Sequence, residues 1–420
     1  MNILFIFIFI ILLILSFIKR TDIFSPLKIF LLNIIVFWGD IFIRDYNATV
    51  NVYFLTILSF GLIIFVLEGK SDKISDHNKI EFTSRKNIWI KLWILTLIPV
   101  FAQLALIVKM GGIEGYIYSI GLRVKEWSSL GIYIILIRTI SIINLVYFYL
   151  IVKSRKTSYK EKLSFYLNLL IFIIIALLSG SRSTLLVNFI LMAIIYYYFV
   201  KKISISRFLL IGVSALSIAM IIGIARNGYS YKDGELKTGL SNENRSKKIE
   251  TSNFSYGLFP LEIISEQEYL KSYRLGSTYL SAVTNLIPRS LWPEKPDTGG
   301  VIFTTEYHNI HQGYSNYSTG FIVEGIINYG YFVGTIFAYL LLFFIYWLFT
   351  SYFKKSHSFP FLRKLIVYDL SYVCFLYLIP TYLHGEFTTV THSIFINKIL
   401  VIWFVVYFVV PSKTEYRKQK

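Results

Sequence analysis

The chain has 420 residues, of which 55% are hydrophobic and 16% charged, with a mean hydropathy of +0.60. A soluble domain cannot hide that much apolar surface in one core, so the balance excludes an ordinary globular protein and calls for a bilayer. The formal charge of +18 would suit nucleic acid, but the excess lies in short segments between apolar runs, which is the signature of membrane topology and argues against nucleic-acid binding.

A membrane span needs about 20 apolar residues. On that criterion the sequence predicts an all-α integral membrane protein of about eleven helices, with ten to twelve as the range. They lie near 2–18, 26–43, 50–67, 88–108, 131–152, 164–179, 183–199, 205–225, 321–349, 365–383 and 390–410. The first apolar run has no basic residue ahead of it, while Lys19 and Arg20 follow it. That pattern predicts a retained helix with its N-terminus outside, not a cleaved signal peptide. Segments at alternate helix exits hold 25 of the 42 basic residues, from Lys19, Arg20 and Lys28 to the tail Lys413, Arg417, Lys418 and Lys420. Those segments read as cytoplasmic, so the one long polar stretch, Arg226 to Thr319, falls on the outer face. The expected organisation is helices one to eight over 1–225, a large outer loop over 226–319, three helices over 320–410 and a basic cytoplasmic tail over 411–420.

The large loop carries ten Lys/Arg and ten Asp/Glu, so it is neutral and does not cause the basic balance. Gly228 to Asn253 is polar and rich in Gly, Ser, Asn and Lys, whereas Pro260 to Leu286 has apolar residues near helical spacing and predicts one or two amphipathic helices on the membrane face. Three of the nine prolines fall between Pro288 and Pro296, which makes Leu286 to Gly300 a stiff, turning loop. It carries Arg289, Trp292, Glu294, Lys295 and Asp297, candidate contacts to a substrate. A second outer segment, Gly111 to Gly131, carries Arg123, Lys125, Glu126 and Trp127 and could fold against the loop. The single cysteine, Cys374, excludes an intrachain disulfide and a thiolate metal cluster.

Ionisable residues inside membrane helices are costly and mark function by default. Asp40, Arg138, Arg182, Arg226, Glu324 and Lys398 fall toward the outer halves of their helices, and Asp369 near an inner end. They either line a vestibule opening outward or form structural pairs such as Asp40 with Arg138. The turn Ser179-Gly180-Ser181-Arg182 opens a helix whose N-terminus favours an anion, and Arg182 adds a planar fork suited to phosphate. The alternative is a hairpin turn with Arg182 snorkelling to lipid headgroups. Arg182, Arg226, Arg274 and Arg289 together could converge on a diphosphate. His308 and His311 lack a third ligand, so they suit hydrogen bonding to a sugar better than zinc. No nucleotide-binding glycine motif is present, and neither a cofactor nor a metal is called for. A donor already on the outer side, such as a lipid-linked diphosphate, fits.

Three stretches resemble the bacterial O-antigen or capsule repeat-unit polymerases. They are Leu177-Leu178-Ser179-Gly180-Ser181-Arg182, then Ile287-Pro288-Arg289-Ser290-Leu291-Trp292-Pro293-Glu294-Lys295-Pro296, and the helix opening Ser318-Thr319-Gly320-Phe321-Ile322-Val323-Glu324 that runs on through Asn328 and Gly330 to Gly334. The spacing from Arg289 to Gly300 is also similar to the family's Arg-x10-Gly pattern. The resemblance implies a GT-C-like membrane glycosyltransferase in the bacterial cytoplasmic membrane. Such an enzyme joins undecaprenyl-diphosphate-linked oligosaccharides into O-antigen or capsular polysaccharide. It further implies that Arg182, Arg226 and Arg289 hold the donor diphosphate, and that Glu324, His308 or His311 orients or deprotonates the acceptor hydroxyl. An apolar groove between outer-leaflet helices is expected to take the lipid tail, and a chain-length regulator and a flippase are possible partners. The rival expectations are an O-antigen ligase, which uses a lipid core as acceptor, and a flippase or transporter of lipid-linked oligosaccharides.

Overall fold

Long apolar runs become helices because a helix satisfies its backbone hydrogen bonds within the segment, the condition for lying in lipid. The computed structural model describes the chain except residues 21, 70–84, 122–125, 128–129, 155–156, 180–181, 205–228, 233–234, 239–254, 268–269, 271–272, 288, 290, 310–316, 355–360 and 412–420. In chain order the helices used below are α1 (Asn2–Lys19), α2 (Pro26–Trp38), α3 (Ala48–Leu67), α4 (Arg85–Lys109), α5 (Gly112–Gly121), α6 (Gly131–Lys153), α7 (Tyr159–Leu178) and α8 (Arg182–Phe199). They continue with α9 (Leu258–Ser265), α10 (Ser277–Thr284), α11 (Gly299–Ile302), α12 (Gly320–Tyr329), α13 (Tyr331–Lys354), α14 (Leu362–Leu378) and α15 (Phe387–Val409). Among the described residues, eight helices are long and apolar enough to cross a membrane: α1, α3, α4, α6, α7, α13, α14 and α15. The chain is therefore a helical, multi-pass membrane protein. The helix expected over 205–225 and the basic tail lie outside the described residues. A short antiparallel hairpin, Tyr229–Lys232 with Glu235–Thr238, lies in the polar stretch rich in Gly, Ser, Asn and Lys.

The described chain divides into two compact units that interleave in sequence. The first takes Met1–Asp72, Lys248–Ser356 and Phe375–Phe395. In it, α1 packs on α3 where Gly61 leaves room for Leu12; a Cβ there would stand 2.9 Å from the Leu12 Cδ1. At one end of α1–α3 the buried Arg20 pairs with Asp22 at 2.9 Å and Glu68 at 3.4 Å. Glu68 also accepts the Leu27 N–H at 3.2 Å, and Lys28 Nζ donates to the carbonyls of Arg20 and Asp22. At the other end α2 stops at Trp38, short of the span expected to residue 43, and tightens into a 3₁₀ turn over Gly39–Phe42. Asp40, on that turn, finds its partners locally. Tyr46 donates to it at 3.0 Å and Arg44 lies at 3.5 Å, in place of the Arg138 that membrane depth suggested.

The helix expected over 321–349 is broken. Gly330 takes φ +83°, a left-handed conformation that ends α12 after 10 residues and folds it back along α13. Two glycines, five residues before the turn and four after it, let the backbones touch. A Cβ on Gly325 would stand 2.3 Å from the Gly334 carbonyl oxygen, and one on Gly334 would stand 2.2 Å from that of Gly325. At about 1.5 Å per residue α12 is too short to span a bilayer. It is a half-helix that lines the end of the bundle.

The second unit takes Lys73–Lys247, His357–Cys374 and Ile396–Lys420. Its organising element is α6, which carries Ser141, Asn144 and Tyr147 three residues apart. The Asn188 side chain of α8 donates to the Ser141 carbonyl at 2.8 Å, and Asn144 donates to Asn168 of α7 at 3.2 Å. Asn168 donates onward to Thr96 of α4 at 2.8 Å, and Tyr147 and Trp93 share Ser164 at 2.6 Å each. Polar side chains bridge the helices because lipid offers them no other partner. Two ionisable side chains join the same helix: Tyr149 donates to the buried Asp369 at 2.6 Å, and Lys398 reaches Ser141 at 3.5 Å. In the Gly111–Gly131 segment, Trp127 stacks on Tyr116 and donates to Ser119 of α5 at 2.9 Å, so this Trp is committed within its own segment.

Candidate functional site

Glu324 and Asn328 lie four residues apart on α12 and therefore share a face. Asn328 uses it to hold the start of α10: its amide donates to Thr278 at 2.6 Å and its oxygen accepts the Gly276 N–H at 2.8 Å. The backbone joins in, with Arg274 and Leu275 N–H donating to the carbonyls of Ile327 and Asn328 at 3.1 Å each. Reaching that position puts Leu275 at φ +48° and Gly276 at φ +87°. From α10, Ser281 pairs with Thr388 of α15, whose hydroxyl also donates to the Thr278 carbonyl at 3.2 Å. The three helices are thus clasped by small hydroxyls and one amide.

Glu324 sits inside this clasp with no exposed surface. Its Oε2 accepts the N–H of Phe387, the first residue of α15, at 2.7 Å, a position where a helix N-terminus favours negative charge. Its Oε1 has no hydrogen-bond partner among the described residues. Burial first, and the neighbouring Glu386 carboxylate second, push the Glu324 carboxyl up to about 8, against the pull of the Phe387 N–H. Glu386 is half-buried in the turn before α15. Its Oε2 accepts the Gly300 N–H at 2.6 Å, its other oxygen takes the Thr389 hydroxyl, and its own N–H donates to Ser318 at 3.0 Å.

The two carboxyl groups meet on the Gly299–Gly300 pair. A Cβ on Gly299 would stand 2.8 Å from the Glu324 Cδ, and one on Gly300 would stand 2.4 Å from the Glu386 Oε2. Neither glycine tolerates a side chain, so the end of the stiff loop is fitted against α12. The sequence singled out Glu324 and Gly300 but not Glu386. The available signal was an acidic residue after His384-Gly385 at the mouth of an apolar run, the position of a helix cap.

The remaining candidates divide. Arg289 is exposed, pairs with Asp297 and donates to the Pro293 carbonyl at 2.9 Å, so it closes the stiff loop on itself. Lys295 is buried, and its Nζ donates to the Ile287 carbonyl at 2.7 Å and to the Asn285 side chain at 3.2 Å, capping the end of α10. Trp292 and Glu294 are exposed on the same loop. Arg274 pairs with Glu306. His308 lies edge-on to Phe259 and Tyr317, and burial holds its imidazole below the usual value. His311 and Arg226 lie outside the described residues, as does the Arg182 side chain, although Arg182 begins α8 as the sequence suggested. Arg182 belongs to the second unit, and Arg274 and Arg289 to the first.

Beside the clasp, α3 and α13 leave a groove of about 660 Å³. Its walls alternate apolar side chains such as Val52, Phe332 and Leu340 with the hydroxyls of Tyr53, Ser59 and Thr335. Thr56 and Tyr339 also wall a smaller cavity of about 20 Å³ that reaches Phe321 of α12. No protein-family model, curated protein or solved structure matches the chain.

Proposed function

We propose that the chain is a membrane glycosyltransferase, of GT-C-like architecture, that joins polyprenyl-diphosphate-linked oligosaccharide repeat units into a surface polysaccharide. The observation that carries this reading is the fit of Gly299–Gly300 against Glu324 and Glu386. Gly300, which ends the Arg289-to-Gly300 spacing, and the helix opening at Glu324 are both among the features that resemble the repeat-unit polymerases, and they come together at a pair of carboxyl groups. Such a pair suits removing a proton from a sugar hydroxyl. The α3–α13 groove supports the lipid part of the reading, because its largely apolar walls suit an isoprenoid chain. Arg289 is one loop contact away from a free guanidinium, since a diphosphate can replace Asp297 as its partner.

The test is a glycan-length assay in cells lacking the gene. Single repeat units on the cell surface, with long chains restored by the wild-type gene, are expected. Loss of all surface glycan would instead make the chain a transporter. Long polymer stranded on its lipid carrier would make it a ligase.

A further inference from the structure

We propose that Glu386, and not Glu324, takes up the proton of the acceptor hydroxyl, and that Glu324 serves it as a neutral positioning residue; this rests on the glycosyl-transfer reading above. Glu324 has no exposed surface, and Gly299, α10 and α15 close around it. Among the described residues, the titratable groups that face it are Glu386 from the turn before α15, Tyr279 from α10 and Tyr382 from the turn after α14, none of which supplies a positive charge. A buried carboxylate without a cation is too costly to persist, so Glu324 keeps its proton at neutral pH. It then holds the Phe387 N–H through its carbonyl oxygen and adds no negative charge beside Glu386.

Glu386 has the complementary setting. It is half-buried, fixed by the Gly300 N–H and the Thr389 hydroxyl, and each carboxylate oxygen keeps a second lone pair. An ionised Glu324 would place a second negative charge beside it; a neutral one does not. In the step, the acceptor O–H bond breaks and its proton passes to Glu386. The freed oxygen pair bonds to the anomeric carbon of the donor sugar. The bond from that carbon to the diphosphate breaks, and its electron pair leaves on the diphosphate, which stays with the lipid. Glu386 then returns the proton to water.

The experiment uses the purified full-length protein in vesicles loaded with the lipid-linked repeat units of its own cell. Replacing the base by E386Q is expected to slow chain elongation at least ~100-fold. E324A should slow it roughly tenfold or more through loss of position, and the neutral isostere E324Q should recover most of that loss. The wild-type rate should fall as pH rises past about 8 while the E324Q rate does not. Elongation by E386Q near the wild-type rate, or an E324Q as slow as E386Q, overturns the assignment. The infrared absorption of a neutral carboxylic acid supplies a readout independent of activity. The wild-type and E386Q spectra at pH 7 should exceed that of E324Q by one neutral-acid band; a wild-type minus E324Q difference spectrum without that band overturns the role of Glu324. A wild type that makes no polymer removes the polymerase reading and the catalytic role of Glu386 with it, while the band still decides whether Glu324 is neutral.

Discussion

Gly325→Ala pits two opposing effects against each other, and the hairpin geometry decides between them. Within a helix, alanine is favoured over glycine by about 1 kcal/mol. Here the new methyl would stand 2.3 Å from the Gly334 carbonyl oxygen and 3.0 Å from the Ala338 methyl. The first distance is about 1 Å inside ordinary contact, and that neighbour is backbone, so α12 and α13 must part. Overpacking of that kind costs about 1–3 kcal/mol, and the separation also forfeits part of the hairpin packing. The net expectation is a loss of about 1–2 kcal/mol. The assay is thermal unfolding of the purified protein in detergent, with Gly131→Ala as control. Gly131 opens α6 with nothing within 4 Å of a new methyl, so that variant should be neutral or stabilised. Gly334→Ala should resemble Gly325→Ala, and the double variant should lose less than the sum, because the helices part once. A Gly325→Ala protein as stable as Gly131→Ala would refute the close-packed hairpin.

Lys295→Met removes the ammonium that holds the Ile287 carbonyl and Asn285; hydrogen exchange at 285–287 should rise sharply, by about 1.5–3 kcal/mol of local stability, and unchanged exchange would remove Lys295 as the cap. Arg289→Ala should abolish long glycan at normal protein level, whereas Asp297→Ala should leave some; equal losses would mean that the pair only closes the loop. His384 stacks on Phe37 at 3.7 Å, and burial pushes its imidazole down to about 3. Its unfolded form binds a proton below about pH 6.5 while the folded form stays neutral, so stability falls on acidification by at most about 1.4 kcal/mol per pH unit. His384→Asn should flatten that acid limb in a denaturation series from pH 7 to pH 4; an unchanged slope would assign it to other groups.

The spans were legible because hydropathy and the placement of basic residues are local properties. The break at Gly330 was not. The residues of α12 are as apolar as those of α13, so a window over 321–349 reads one continuous run, and only the pairing of Gly325 with Gly334 reveals the reversal. Arg289 with Asp297 and Lys295 with Asn285 lie within ten residues of each other, yet their charges were read as contacts to a substrate. Nothing in a stiff loop's sequence says whether its side chains point outward or bind the loop itself. Glu386 escaped notice because its partner, the Gly300 N–H, is 86 residues away.

The ionic knot at the end of α1–α3 has a consequence for how the chain is made. Arg20 leaves the ribosome with Asp22 beside it, but Glu68 follows 48 positions later, after two more apolar segments. Until α3 is synthesised, Arg20 lacks its second carboxylate and the Leu27 N–H at the start of α2 lacks its acceptor. The first three helices therefore mature as one packet. Membrane insertion can proceed helix by helix, but the closing of this corner waits for Glu68.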